Sequence, residues 1–438
     1  MSKYFKISSV LLFTAISAQA GQWDLNDVTY LFPLPTAVTA SGAIRAADKA
    51  PNGKVLIPID QVIAVSKIPA NNGMPEQTFQ FQSLRTGDIL PRSKNFDTYK
   101  DLFLIAIRID PCFRDTFSDS CRKQVRAVWQ PVDHWRENKP ESVDAALHTF
   151  YDLSDNEFST LLNDLQTLKR TLKVDTAKLP LGIHPGFSNT KVTEFQKAFR
   201  ALILPFLGSN RIVRLARVTL EVSSSGWDLS SKDFLANGKK QTVMIFPGDV
   251  ARQQTFNIAG IDSMTDNGMP RNQDAEGFKK VADEILTRKI YEPEGRAFKG
   301  LLIADVANNG TSKERGDQLG NVFRDSSKAL ALPEQRRTIF QRAARIENPA
   351  KHLPGTIDCV SCHIATSVKT MTGSPQDIIR AVPRFAGRYD LQNTSTYYGD
   401  SHNMRMLGYM YENIQLADRV IYESAEVADA LNRRQQKH

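Results

Sequence analysis

Two strand-forming segments, joined by a short connection with two cysteines, place the strongest constraint on the fold. The segment DLFLIAIRIDPC, residues 101–112, is rich in β-branched and apolar residues, and RKQVRAVWQPV, residues 122–132, alternates polar and apolar positions. The connection carries Cys112 and Cys121, and a disulfide between them would hold this short polar loop together. We therefore expect a β-hairpin closed by a disulfide bond.

Two amphipathic helices are predicted after this hairpin, followed by further strands. Ser154 and Glu157 stand in capping-box spacing at the start of one apolar periodic run, and a second run ends at Gly208. Strand-like segments then return in RIVRLARVTLEV, QTVMIFPG, QTFNIAGI and FKGLLIADVA. The pattern predicts an α+β chain in which a helical segment separates two β-rich regions.

Short motifs of the first β-rich region recur in the same order in the second. The tripeptide Trp-Asp-Leu at 23–25 recurs at 227–229, and NNGMP at 71–75 recurs as DNGMP at 266–270. Such echoes indicate duplicated β units, and independent use of the same turn residues is the alternative explanation. The predicted organisation is a signal peptide (1–20), a β-rich domain with the disulfide hairpin (21–140), a helical segment (141–208), a second β-rich unit (209–332) and a small C-terminal domain (333–438).

The first twenty residues have the pattern of a secretory signal peptide. Lys3 and Lys6 precede an apolar run at 10–16, and Ala18 and Ala20 form a small-x-small cleavage site. The run is shorter than the roughly 20 residues that span a bilayer, so a membrane anchor is the less favoured alternative. We expect a periplasmic or secreted protein in an oxidising compartment, without a membrane span but with a possible peripheral association with the cell envelope.

Composition and charge are those of a globular protein without a nucleic-acid interface. The formal net charge is +8, with 24% charged and 41% hydrophobic residues, and the basic residues are dispersed along the chain. The basic stretch EQRRTIFQRAARIENP, residues 334–349, is predicted as a helix with a solvated face, and docking of an acidic partner is the alternative.

The N-terminal three quarters of the chain show no recognisable catalytic motif. A P-loop, a dinucleotide-binding fingerprint, a nucleophile elbow and a metal-ligand cluster are all absent from the sequence pattern. The pair His134 and His148 is too widely spaced for one face of a helix, so we do not predict a site there.

Cys359, Cys362 and His363 form the pattern Cys-x-x-Cys-His, which is the motif in this sequence that indicates a chemical function. Two cysteines at this spacing can reach the two vinyl groups on one porphyrin edge, and the following histidine can then ligate the iron. A redox dithiol expects a strand before the motif, whereas NPAKHLPGTID is a loop; a zinc site requires a second ligand pair, and only four cysteines exist. These two alternatives are therefore disfavoured.

The segment GTIDCVSCHIATS, residues 355–367, resembles the attachment site of c-type cytochromes. The resemblance implies one covalently attached haem c, held by Cys359, Cys362 and His363, with His363 as an iron ligand. It also implies a small all-α, cytochrome c-like domain in which the motif-bearing helix and a C-terminal helix enclose the haem. The segments SPQDIIRAV and ESAEVADALNRR would supply its other helices.

The sequence departs from many small cytochromes at Ile364, where they have glycine, and no downstream methionine is followed by proline. These departures leave the distal iron ligand open. The candidates lie in YYGDSHNMRMLGYM, residues 397–410, in the order Met404, Met406 and His402. A methionine ligand would raise the reduction potential and a histidine ligand would lower it.

The function expected from this resemblance is electron transfer by a monohaem protein. Residues 21–332 would bind a redox protein partner or serve as a scaffold. One alternative is a haem enzyme, or a sensor of peroxide or a diatomic gas, with an open distal site. Another is a substrate-oxidising N-terminal domain that passes electrons to the haem.

Overall fold

The computed structural model describes most of the N-terminal half and the C-terminal hundred residues of the chain. The described residues are 22–65, 67–68, 77–78, 97, 99–115, 119–135, 139–142, 145–221, 226–234, 240–242, 254–258, 303–306, 317, 319, 333–357, 359–395, 406–410 and 412–436. The strands are β1 (Thr29–Leu31), β2 (Lys67–Ile68), β3 (Gln77–Thr78), β4 (Leu102–Phe113), β5 (Arg122–Asp133), β6 (Glu141–Ser142), β7 (Ala145–Leu153), β8 (Ile212–Glu221), β9 (Gly226–Phe234), β10 (Lys240–Thr242), β11 (Gln254–Ile258), β12 (Ile303–Val306), β13 (Leu407–Met410) and β14 (Asn413–Leu416). The helices are α1 (Leu25–Val28), α2 (Ile59–Val65), α3 (Asp155–Thr171), α4 (Glu194–Ile203), α5 (Pro333–Glu347), α6 (Cys359–Thr372), α7 (Pro375–Ala381) and α8 (Asp418–Gln435), and short 3-10 turns follow α4 at Leu204–Phe206 and Ser209–Arg211.

Ten of the described strands form one antiparallel sheet. Its order is β1-β4-β5-β7-β8-β9-β11-β12, with β6 paired to β5 and β10 paired to β9. Strands β4 and β5 form the predicted hairpin, which is paired from Leu102 opposite Pro131 to Phe113 opposite Arg122. The sulfur atoms of the two hairpin cysteines lie at disulfide distance, with their Cα atoms 4.4 Å apart.

Strand β4 is buried on both faces of the sheet. Along β4, Leu104 and Ile107 belong to a core that includes residues of α3 and α4, whereas Phe103 and Ile105 belong to a second core that includes residues of α8. Because a strand presents its side chains to opposite faces, this strand needs a cover on both sides. The long apolar run of β4 is thereby explained.

The helix signals in the sequence act locally, as predicted. The Ser154 hydroxyl accepts the backbone N–H of Glu157, while the Glu157 carboxylate accepts the backbone N–H of Ser154 at the start of α3. Ser374 and Asp377 form the same capping box at the start of α7. Each box satisfies two of the backbone donors that a helix N-terminus leaves without an intrahelical partner.

The C-terminal region is not the all-α, cytochrome c-like domain that the motif implies, and that prediction is wrong. Its described part contains helices α5 to α8 and a β-hairpin of β13 and β14. On α8, Val427, Ala428 and Leu431 pack in the first core, and Val420 and Ile421 pack in the second. The N-terminal fold covers both sides of α8, so this helix contributes to both cores of the described part of the chain.

Among the described residues, the two predicted β-rich regions do not form separate units. Strands from both regions belong to one sheet, and β7, within the segment predicted as helical, lies near the middle of that sheet. The repeated tripeptide has two structures, since residues 23–25 lead into helix α1 and residues 227–229 lie in strand β9. The same residues therefore recur without a common structural unit.

Some predictions concern residues outside the described ranges. The predicted signal peptide at 1–20 and the repeated turn motifs at 71–75 and 266–270 lie there. Within the described ranges, no helix has both the length and the apolar character needed to cross a membrane.

Candidate functional site

The Cys-x-x-Cys-His motif forms the first turns of helix α6. This helix begins at Cys359 and packs beside α5, with Ile364 and Ala365 buried. In the loop before it, Gly355 donates its backbone N–H to the carbonyl of Asp115, with an N···O distance of 2.7 Å. The approach to the motif is thus joined to the loop of the disulfide hairpin.

Cys362 and His363 line a cleft between α6 and one face of the sheet. The cleft has about 1090 Å³ of space free of protein atoms, part of it open to solvent. Strands β4, β5, β7 and β8, the loop before α6, the start of β13 and helix α8 contribute the walls. The side chain of Cys359 lies outside the described part of the structure.

Of the three predicted distal ligands, Met406 is the one that the structure describes. It lines the cleft just before β13, and its Sδ atom is 4.0 Å from the Sγ atom of Cys362. Met404 and His402 lie outside the described residues. The structure therefore brings one of the alternatives to the motif, from the segment in which sequence analysis placed the ligand.

His148 also lines the cleft, and sequence analysis missed it. It lies on β7, in register with Val128 on β5 and Ala216 on β8. The sequence argument tested His134 and His148 as a pair on a helix, but His134 lies elsewhere, buried, with its Nδ1 atom 3.6 Å from an Asp101 carboxylate oxygen. The usable signal was the strand period, which places His148 and Phe150 on one face of β7.

A row of basic side chains crosses the sheet at the floor of the cleft. Arg108 on β4 is opposite Arg126 on β5, Arg126 is opposite Phe150 on β7, and Phe150 is opposite Arg214 on β8. All four side chains line the cleft. Like charges on neighbouring strands repel each other, so this arrangement requires compensating anions.

Acidic side chains neutralise part of this row. Arg108 pairs with Glu423 of α8, and an Arg126 guanidinium nitrogen lies 2.8 Å from an Asp110 carboxylate oxygen. Burial alone would raise the pKa of Glu423, but Arg108 and the neighbouring Arg419 and Arg126 lower it to about 2. Burial, together with Arg108, lowers the pKa of Arg126 to about 10. Glu423 is therefore ionised at neutral pH.

Two nitrogen atoms of the basic row remain without a hydrogen-bond partner among the described residues. They are Nη1 of Arg108 and Nε of Arg126, and both are buried. A buried donor without a partner costs about 1–3 kcal/mol, and more when the group is charged. The positive charge of the row would favour an anionic group in the cleft.

The chemistry of the cleft fits a haem group. Haem joins a large apolar ring to two propionate carboxylates, and the cleft combines apolar walls with the basic row. The apolar part includes Phe113, Val128, Ile357, Leu407 and Val420. Both ends of the ligand thus find matching chemistry, besides the thiol and imidazole groups of the motif.

Arg419 braces the wall of the cleft that α8 supplies. Its side chain is 2% exposed and donates to the carbonyls of Ile346 and His352, the latter with an N···O distance of 2.8 Å. Its Nε atom donates to Glu423 at 2.8 Å. One guanidinium group thereby holds α5, the loop before α6 and α8 together.

A second polar network holds the motif-bearing helix in place. Lys369 of α6 pairs with Glu347 at the end of α5 and with Asp418 at the start of α8. The hydroxyl of Thr366 accepts the backbone N–H of Asp418 at 2.9 Å and donates to Glu347. Burial raises the pKa of Glu347 to about 7, against the opposing effect of Lys369.

Neither a cluster of metal ligands among the described residues nor a similarity to known proteins indicates what this cleft binds. Among the described residues, no three His, Cys, Asp or Glu side chains are grouped to hold a metal ion by themselves. Comparisons of the chain with protein-family models, with curated proteins and with solved structures give no significant match.

Proposed function

We propose that this protein binds one haem c covalently in the cleft and transfers electrons. The observation that supports this proposal most strongly is that Cys362 and His363 line an apolar cleft whose floor carries partly unpaired, buried guanidinium groups. A redox dithiol or a structural zinc ion would not account for an apolar cleft with a basic floor. Haem would use its apolar walls and its basic floor together.

The residues of the motif have separate tasks in this proposal. Cys359 and Cys362 would hold the haem through two C–S bonds, each formed by addition of the thiol across one vinyl C=C bond, with the thiol hydrogen passing to the neighbouring carbon. No oxidant is needed for this addition. The imidazole of His363 would ligate the iron. The bound haem would supply an iron that gains and loses one electron.

The remaining walls would orient the group and tune its potential. Arg108 and Arg126 line the cleft, and their positive charge would attract the propionate carboxylates. Apolar residues such as Val128 and Leu407 would limit the access of water, which controls the dielectric around the iron. The open side of the cleft would expose a haem edge to a redox protein partner.

A periplasmic or secreted location belongs to the same proposal. It is supported by the signal-peptide pattern at 1–20 and by the disulfide distance between Cys112 and Cys121. Both cysteine pairs then have a purpose in an oxidising compartment. The first pair closes a hairpin, and the second attaches the haem.

The test is expression of the full chain in a host that matures c-type cytochromes in its periplasm. We expect the mass of the purified protein to exceed that of the polypeptide by one haem, and the haem to stay attached after denaturation. Replacing both Cys359 and Cys362 by serine should abolish attachment. The matched control replaces Cys112 and Cys121 by serine, which removes as many thiols outside the cleft and should preserve attachment.

The optical spectrum of the same sample distinguishes electron transfer from the enzyme or sensor alternative. Low-spin iron that is unaffected by carbon monoxide or cyanide supports electron transfer. High-spin iron that binds both ligands readily would favour a peroxide- or gas-binding function. Protein that matures without haem but retains zinc or a reversible dithiol would refute the proposal.

A further inference from the structure

The two facing walls of the cleft each contribute one histidine. His363 belongs to α6, and His148 belongs to β7 on the sheet wall. Strand β7 is hydrogen-bonded along both edges, by β5 and by β8, so the position of His148 is fixed by the ladders on either side. A ligand on such a rigid element is held more precisely than one on a loop.

The neighbours of His148 on the sheet are small and apolar. In the same register row, Ala106 on β4 is opposite Val128, Val128 is opposite His148, and His148 is opposite Ala216. The imidazole is the longest side chain in this row and the one that can ligate iron. The adjacent row carries Arg108, Arg126 and Arg214, so the sheet presents a ligand row beside an anion-binding row.

Met406 is less well placed to reach the iron. Its Sδ atom is in contact with Sγ of Cys362, at 4.0 Å. Cys362 would bond to the periphery of the haem ring, so a sulfur atom beside it lies near the ring edge. An axial ligand must instead face the centre of the ring.

We infer that His148, from the N-terminal sheet, is the sixth iron ligand opposite His363. This inference rests on the proposed function and deepens it. The N-terminal fold would then be part of the haem site itself, in addition to any role in binding a partner. Coordination by two histidines would place the reduction potential below that of a methionine-ligated haem c.

The test uses the purified haem-containing protein and replaces His148 by alanine and by methionine. We expect wild-type iron to be low-spin, without the sulfur-to-iron charge-transfer band. In His148→Ala we expect loss of the low-spin signal and new binding of carbon monoxide, with recovery on addition of imidazole. In His148→Met we expect the charge-transfer band to appear and the potential to rise.

Two further variants give the comparison. His134→Gln removes a buried histidine outside the cleft and should leave the low-spin signal unchanged, and Met406→Leu tests the rival ligand. Unchanged low-spin iron in His148→Ala, or a wild-type charge-transfer band that Met406→Leu abolishes, would overturn the inference alone. Absence of covalent haem in the wild type would overturn the proposed function and this inference with it.

Discussion

Replacement of Lys369 by methionine should weaken the fold by removing the cation from a buried cluster. Lys369 and Glu347 side chains are each 1% exposed, and Asp418 is 6% exposed. Methionine has a similar length but no charge, so two carboxylates would remain buried without their shared partner. Breaking a buried ion pair in this way costs about 3–5 kcal/mol. That loss is a large part of the roughly 5–15 kcal/mol by which a typical protein is stable.

The pKa of Glu347 gives the pH dependence of the cluster. Burial raises this pKa from the ordinary 4.5 to about 7 even with Lys369 present. Because the pKa of Glu347 is raised in the folded state, its contribution to the free energy of unfolding is fully present below pH 4.5. That contribution is lost as the pH rises through about 7. At about 1.4 kcal/mol per pH unit, the wild type should lose about 3 kcal/mol across this window. Without Lys369 the pKa of Glu347 rises further, so the free energy of unfolding of Lys369→Met should be reduced most at alkaline pH.

Urea unfolding of the wild type, Lys369→Met and the double variant Lys369→Met/Glu347→Gln at about pH 5 and pH 8 tests this reasoning. The second substitution removes the buried carboxyl group whose raised pKa opposes folding at this pH, and it should recover about half of the loss at pH 8. Asp418 keeps its hydrogen bond from Asn393 Nδ2 at 2.7 Å, so the remaining carboxylate is still satisfied. The reasoning would be refuted if Glu347→Gln lowered the free energy of unfolding of Lys369→Met further. It would also be refuted if Lys369→Met lowered that free energy by less than about 1 kcal/mol.

Three further predictions concern other parts of the molecule. Serine at both Cys112 and Cys121 should lower the free energy of unfolding by about 2–4 kcal/mol, measured in urea, and an equal stability of oxidised and reduced wild type would contradict this. Ser154→Ala should cost about 1 kcal/mol through loss of the α3 cap, whereas Ser154→Asp should preserve stability. Burial lowers the pKa of His184 to about 3, so NMR should find its ring neutral at pH 5. Its contribution to stability should be lost only as the pH falls from 6.5 towards 3. A titration near pH 6.5 would show instead that the ring is solvated.

Features that depend on neighbouring residues could be predicted from the sequence, whereas the packing of distant segments could not. The hairpin of β4 and β5 and the caps at Ser154 and Ser374 follow from alternation, turn length and local hydrogen bonds. The role of α8 does not, because its period shows an apolar face without showing what covers it. Val427 and Val420 pack in two different cores that α3 and β4 help to form.

The candidate site illustrates the same limit. Cys359, Cys362 and His363 are close in sequence, and their spacing alone indicates their chemistry. His148 lines the same cleft only because of the register of β7 between β5 and β8, which depends on pairings far apart in the chain. The helical spacing test was therefore the wrong test for this histidine. Met406 was accessible to sequence analysis because it lies in the same terminal region as the motif.

The contact between the two ends of the chain has a consequence for the order of events in folding. The backbone N–H of Trp23 donates to Asn432, and 409 positions separate these residues. Closing so long a loop is entropically costly and slow, and it requires that the last described helix has already been synthesised. We therefore expect a newly made chain to pass through a stage in which its core is open. Under the proposed function, Cys359 and Cys362 would be accessible for haem attachment at that stage. Deletion of residues 418–438 should therefore destabilise the first strands of the chain as much as the last ones, which hydrogen exchange at Thr29–Leu31 would detect.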